Sequence, residues 1–190
     1  MRILITGITG RIGGNLAAQL VEQGHQVRGL VWPKDPRIEK FKDLDLELIE
    51  GSLTEYEDVQ KVCEGMDVIY HLGAAFQGGG PFQDTDYFDI NIRGTFHMLK
   101  AAEANKNLKQ FIFASTDAQY AKYPPEGMNK PITEDGMPSE ATGWYALSKS
   151  MGEELCNGYW RTSHLPVTIL RFSMVVGAGE ILDFRQFYLS

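Results

Sequence analysis

Cysteine is nearly missing from this 190-residue sequence: only Cys63 and Cys156 occur, and neither belongs to a close-spaced Cys/His set. That pattern argues against a disulfide framework and against a structural zinc site, and it fits a reducing cytoplasm, the expected location. Long apolar runs are also lacking. No stretch approaches the roughly 18 continuous apolar residues that cross a bilayer, and the chain opens on "RILIT" without the basic leader and apolar segment of a signal peptide. Positive charge is in deficit, with 18 Lys and Arg against 25 Asp and Glu and a net charge of -7. The basic residues are scattered, so neither nucleic acid nor an anionic membrane is an expected partner. His25, His97 and His164 share no ligand spacing, so no metal is expected.

Short apolar runs rich in Ile, Val and Phe are present instead: "RILIT", "QVRGLVW", "LELIE", "DVIYHLGA", "QFIFAST" and "VTILRFS". They read as buried strands. Helical patterns lie between them, at 14–23 and at 84–104, where Phe88, Ile92, Phe96 and Leu99 form one apolar stripe. Alternation of this kind predicts an α/β fold, a doubly wound parallel sheet in a Rossmann-like, three-layer αβα arrangement. The expected unit spans 1–175. Residues 176–190 read as the start of a further lobe, where Phe184, Phe187, Tyr188 and Leu189 imply either a cut chain or an end docked on a partner. The irregular stretches 76–83 and 121–140 follow strand ends, where open α/β sheets bind ligands.

Between the first strand and its helix stands "TGITGRIGG". Gly7, Gly10 and Gly13 let the backbone turn sharply and lie close to a ligand, while main-chain N–H groups and the helix N-terminus suit a pyrophosphate. The spacing is G-x-x-G-x-x-G, a looser form of the dinucleotide fingerprint. Its place after a strand and before a helix is the context that fingerprint requires.

Six motifs in order carry a resemblance over most of the chain. "TGITGRIGG", "YHLGAA", "NIRGT", "FIFASTDAQY", "YALSKSMGEEL" and "LRFSMVVGAGE" resemble the extended short-chain dehydrogenase/reductase superfamily, in its NAD-dependent epimerase/dehydratase branch. The resemblance implies a cofactor, NAD or NADP, held by Gly7, Gly10, Arg11, Ile12 and Gly13. It adds Trp32 after the second strand, Ser52 and Leu53 after the third, and Leu72, Gly73 and Ala74 after the fourth, together with Tyr145 and Lys149. It also implies a small-molecule substrate of the nucleotide-sugar kind, and pairing of two copies through helices.

Two departures bear on the cofactor. An acid after the second strand would bind the adenosine ribose and favour NAD, whereas a basic residue would accommodate the phosphate of NADP. Here Trp32 occupies that place, with Lys34, Asp35 and Arg37 just beyond. Ser52 replaces the aspartate that the family carries near adenine. Both dinucleotides stay open.

In "WYALSK", Tyr145 and Lys149 lie four apart, on one helical face and about 6 Å of rise from each other. Bringing a phenol three units toward neutrality needs roughly 4 kcal/mol. One ammonium at about 6 Å offers roughly 3 kcal/mol at an effective dielectric near 20. By resemblance Tyr145 is the acid/base, Lys149 also holds the nicotinamide ribose, and Thr116 hydrogen-bonds the reacting oxygen, with Ser115 its alternative. Asp117 reads either as an auxiliary acid or as a loop residue; Ala118 stands where dehydratases carry a second acid, which argues against elimination. Asn91 is expected to brace the active-site backbone, and His71, at a strand end, reads as a satisfied core histidine. The expected activity is NAD(P)-dependent hydride transfer at a hydroxyl-bearing carbon, of the epimerase/dehydratase type. An NADPH-dependent carbonyl reductase and a non-catalytic dinucleotide sensor are the alternatives.

Overall fold

The computed structural model describes residues 1–76, 82–120, 133–134, 141–173 and 175. The expected irregular segments 77–81, 121–132 and 135–140, and the expected second lobe at 176–190, lie outside the described residues. Six strands form one sheet: β1 (Arg2–Thr6), β2 (Gln26–Val31), β3 (Glu47–Glu50), β4 (Val68–His71), β5 (Gln110–Thr116) and β6 (Val167–Phe172). All neighbours pair in parallel, in the order β3-β2-β1-β4-β5-β6. The winding reverses between β1 and β4, and a crevice opens there at the C-terminal ends of the strands.

Strand alternation explains the layers. Within β1, Leu4 points into one core while Ile3 and Ile5 point into the other, and all three are buried. The Leu4 side packs on α2 (Tyr56–Cys63), α4 (Gly94–Ala104) and α5 (Trp144–Ser163) through Val59, Val62, Met98, Leu99 and Cys156. Ile3 and Ile5 pack on α1 (Arg11–Glu22) through Ala17 and Leu20, with Phe41 beside them. Apolar residues on both faces of each inner strand therefore demand helices on both sides, the three-layer αβα arrangement expected. Helix α1 starts at Arg11, three residues before the expected 14, because Gly10 already caps it.

The stretch 84–104 is helical throughout, but it is not one α-helix. It runs through α3 (Asp84–Asp86), a π-helical segment (Tyr87–Arg93) and α4. The wider i→i+5 turn shifts the register of every side chain beyond it. The expected stripe divides: Leu99 is fully buried, whereas Phe88 is 57% and Phe96 41% exposed. The inward face is made by Tyr87, Asn91, Thr95, Met98 and Ala102. The inward set keeps the spacing of the expected stripe but lies one residue earlier, with the polar Asn91 and Thr95 in it.

Core truncation separates the two registers. Leu99→Ala is expected to cost about 2–5 kcal/mol in urea unfolding, whereas Phe88→Ala in dilute protein should stay within about 0.5 kcal/mol. Equal losses would overturn this assignment of the inward face.

Candidate functional site

The glycine turn and the end of β4 face each other across the crevice. Gly7 has φ +69°, and a Cβ there would lie 2.7 Å from the Gly73 nitrogen. A Cβ on Gly13 would overlap the Gly7 carbonyl oxygen. The turn is closed by Gly10 N–H donating to Gly7 O at 2.9 Å, and Gly14 N–H donates to Gly10 O at 3.0 Å as α1 begins. Arg11 and Ile12 form the first turn of α1, Arg11 exposed and Ile12 half-buried. The backbone is packed on itself so closely here that no side chain fits at Gly7 or Gly13.

Thr9 ties the turn to the segment after β2. Its hydroxyl donates to Asp35 Oδ2 at 2.8 Å, and its carbonyl accepts from Lys40 Nζ at 2.7 Å. Asp35 is buried and paired with Arg37 at 2.6 Å; hydrogen bonds from Arg37, opposed by burial and aided by Thr9, hold its carboxyl far below the usual range. The first acid after β2 is thus turned inward as a brace, while Trp32 stands 55% exposed at the strand end. Ser52 Oγ accepts from Thr54 N–H at 3.1 Å, and Leu53 is buried against Gly73 and Gly94.

On the other bank Leu72 and Ala74 are half-buried and Gly73 is buried. Asn91, on the π-helical segment, accepts from Ala75 N–H at 2.7 Å and donates to Ala75 O at 3.0 Å and to Ser148 Oγ at 2.9 Å. Ser148 in turn donates to Tyr145 O at 2.8 Å. Asn91 therefore clamps the backbone beyond β4 and joins it to α5.

Helix α5 carries Tyr145 and Lys149. Tyr145 is half-buried and meets Phe76 edge to face, with ring centroids 5.1 Å apart. Lys149 is 3% exposed, its Nζ 4.5 Å from the Phe113 ring centre. Burial pushes its ammonium down to about 8, against the opposing fields of Cys156 and Glu153. A value of about 8 leaves it mostly protonated at neutral pH.

Ser115 and Thr116 end β5. Ser115 Oγ accepts from Gln119 Nε2 at 2.9 Å, while Thr116 Oγ1 accepts from Ala118 N–H at 3.1 Å and lies 3.5 Å from Asp117 Oδ1. Behind Ser115, Gln119 also donates to Glu153 at 2.6 Å, and Arg171 binds both Glu153 oxygens at 2.9 and 2.7 Å. Burial works against the Glu153 charge, yet Arg171, Ser115 and Gln119 outweigh it and hold the carboxyl below its ordinary value. Glu153 and Arg171 were not expected from the sequence. The signal was a lone charge in the otherwise apolar "VTILRF" and a glutamate one turn beyond Lys149.

Residues 3–189 match the family described as NAD dependent epimerase/dehydratase. The chain belongs to that family. GDP-mannose 3,5-epimerase 1 from Oryza sativa subsp. japonica is 30% identical over 187 residues, covering 93% of this chain and 47% of the relative. UDP-N-acetyl-alpha-D-glucosaminuronate decarboxylase from Bacillus cytotoxicus is 32% identical over 184 residues, covering 93% of this chain and 55% of the relative. A short-chain dehydrogenase/reductase superfamily protein from Agrobacterium tumefaciens, solved with bound NAD, superposes with a TM-score of 0.82 at 34% identity over 99% of this chain and 54% of its own. UDP-glucuronic acid 4-epimerase from Bacillus cereus, solved with UDP-glucuronic acid and NAD, gives 0.79 at 28% identity, covering 93% of this chain and 58% of its own. The chain thus spans about half the length of the relatives it matches. Among the described residues, no helix is long and apolar enough to cross a membrane and no three His, Cys, Asp or Glu side chains gather as metal ligands.

The depressed lysine has a signed consequence. Between about pH 8 and 10.5 the unfolded chain binds more protons at Lys149 than the folded one, so stability rises with pH there. Without nucleotide, Lys149→Met should be more stable than the unaltered protein at pH 7, by about 3 kcal/mol, and the gap should close toward pH 10. A gap constant from pH 7 to 10 in urea titrations would contradict the buried ammonium.

Proposed function

We propose that this chain is the dinucleotide-binding and catalytic part of an NAD(P)-dependent oxidoreductase of the nucleotide-sugar epimerase/dehydratase type, built from residues 1–175 and working in the cytoplasm. The observation that carries this reading is the buried Lys149 ammonium one helical turn from Tyr145, at the same sheet edge as a glycine cradle that a Cβ would fill. Gly7, Gly10, Arg11, Ile12 and Gly13 would hold the pyrophosphate, Trp32, Ser52 and Leu53 the adenosine end, and Leu72, Gly73 and Ala74 the nicotinamide side, with Lys149 on the ribose. When bound, the dinucleotide supplies a hydride acceptor that can return what it takes.

Tyr145 removes or returns the proton of a substrate hydroxyl, and Lys149 lowers the cost of its phenolate. Thr116, with Ser115 behind it, donates to the same oxygen, and Asn91 keeps the Ala75 backbone and α5 at fixed spacing. Asp117 has only Ala118 beside it, which leaves elimination without a second acid and favours epimerisation. The names of the relatives support a nucleotide sugar as substrate. One observation favours the NADPH-dependent carbonyl reductase as a second reading: Asp35 is spent on Arg37 and Thr9, leaving no described acid free at the end of β2 for the ribose.

A homodimer is part of the proposal. Trp144, Leu147 and Met151 recur at i, i+3 and i+7 on the outer side of α5, and Phe88 and Phe96 stand exposed on the neighbouring helix. Phe96 and Tyr159, with ring centroids 6.3 Å apart, hold the two helices side by side. An apolar surface of that kind on a soluble domain marks a contact face.

Tyr145→Phe should lower turnover of a nucleotide sugar by at least about a hundredfold, the range of a positioned acid/base, with NAD+ uptake by calorimetry retained. Turnover without added reduced nucleotide identifies the epimerase, dependence on NADPH identifies the reductase, and a Tyr145→Phe variant within a few-fold of the unaltered enzyme overturns both. In sedimentation the unaltered chain should run as a dimer at micromolar concentration and Leu147→Glu as a monomer; a monomeric unaltered chain overturns the pairing.

A further inference from the structure

His71 ends β4 with 1% of its surface exposed, packed between the Phe111 and Phe113 rings at centroid distances of 6.0 and 5.9 Å. The proposed chemistry makes no use of it, yet both ring nitrogens are engaged. Nδ1 lies 2.8 Å from Thr6 Oγ1 and Nε2 lies 3.0 Å from Thr95 Oγ1. The direction of each bond follows from the partners. Thr95 spends its only hydroxyl proton on the Asn91 carbonyl at 2.6 Å, so it can only accept from His71. Thr6 accepts from Gly73 N–H at 3.0 Å and keeps its own proton for Nδ1. Nε2 is therefore protonated, and at Nδ1 the full burial of the ring favours the neutral form that accepts from Thr6. Burial, with the Lys149 charge adding to it, pushes the imidazole down to about 3, in agreement with that assignment.

The two ends of this chain of bonds are functional. Thr6 immediately precedes Gly7, and Gly73 is the backbone that Gly7 faces. Asn91 clamps Ala75 and reaches Ser148, the neighbour of Lys149. We propose that His71 is a positioning residue which, through one fixed tautomer, couples the dinucleotide turn to the helix that carries Tyr145 and Lys149. A space-filling aromatic would pack between the two phenylalanines equally well but could not accept on one side and donate on the other. This inference rests on the dinucleotide reading for the meaning of the turn, not for the bond directions.

The two halves can be cut separately. His71→Asn places an acceptor where Nδ1 stands and leaves Thr95 without its donor; His71→Gln places a donor where Nε2 stands and leaves the Thr6 hydroxyl without its acceptor. Ring nitrogen signals of histidine-labelled, unaltered protein at pH 7 should include a neutral imidazole protonated at Nε2, lost in either variant. NAD+ affinity by calorimetry should fall about tenfold in His71→Gln and stay within about threefold in His71→Asn. Amide exchange should behave oppositely, faster at 87–95 and 144–149 in His71→Asn and unchanged there in His71→Gln. A His71 ring that is charged or protonated at Nδ1 overturns the proposal, as does an equal loss of affinity and protection in both variants that tracks their thermal stability. If the variants do not fold, the ring signals of the unaltered protein decide. Failure of the unaltered chain to take up NAD+ overturns the dinucleotide reading instead, and the ring and exchange results still judge the coupling.

Discussion

Two backbones in near contact set the terms for the rest of the molecule. Gly7 leaves β1 with a positive φ and passes so close to Gly73, beyond β4, that no side chain fits between them. Such an approach is available only to neighbouring parallel strands whose crossover helices lie on opposite faces, which is the arrangement around β1 and β4. The crevice, the helix terminus that meets it and the position of α5 all follow from that pair. Glycine at these sites sacrifices strand and helix propensity for a shape that no other residue permits.

Polar groups under the crevice are numerous, and among the described residues no buried side-chain nitrogen or oxygen lacks a partner. Long-range contacts hold each: Asn91 by Ala75 and Ser148, Glu153 by Gln119 and Arg171, Asp35 by Thr9, with Arg37 as a local partner. Interiors tolerate charge only when it is paired in this way, and a half-made network would cost more than an apolar one. Lys149 also rests over the Phe113 ring, and burial lowers its proton affinity. Under the proposed function, an ammonium so placed would stabilise an anion that forms beside it.

Much of this was legible in the sequence because it is local. The six strands announce themselves as short apolar runs, the inner ones β1, β4 and β5 being buried on both faces while the edge strands β3 and β6 are only partly covered, and Gly7, Gly10 and Gly13 declare a turn through spacing and place. Tyr145 and Lys149 share a helical face by simple arithmetic. What escaped depends on partners far along the chain or on polar residues in an inward face. Nothing near Asp35 shows that it turns inward to Thr9, and nothing near Glu153 shows that Arg171 will meet it. The stripe of Phe88, Ile92, Phe96 and Leu99 was read one residue late, because the inward set Tyr87, Asn91, Thr95 and Met98 includes two polar residues that an apolar count passes over.

That segment also ties two surfaces together. Because Tyr87–Arg93 winds with an additional residue per hydrogen-bonded turn, the same rotation that brings Asn91 inward to Ala75 carries Phe88 outward. Removing a single residue there would restore ordinary winding and leave α4 in its register, so the change would fall on the segment itself and on the place of Asn91 against Ala75. The Asn91 clamp and the outward Phe88 depend on the same winding. Drift in either surface is thereby constrained by the other, so insertions and deletions in this helix should be rarer among descendants of this chain than in its surface loops.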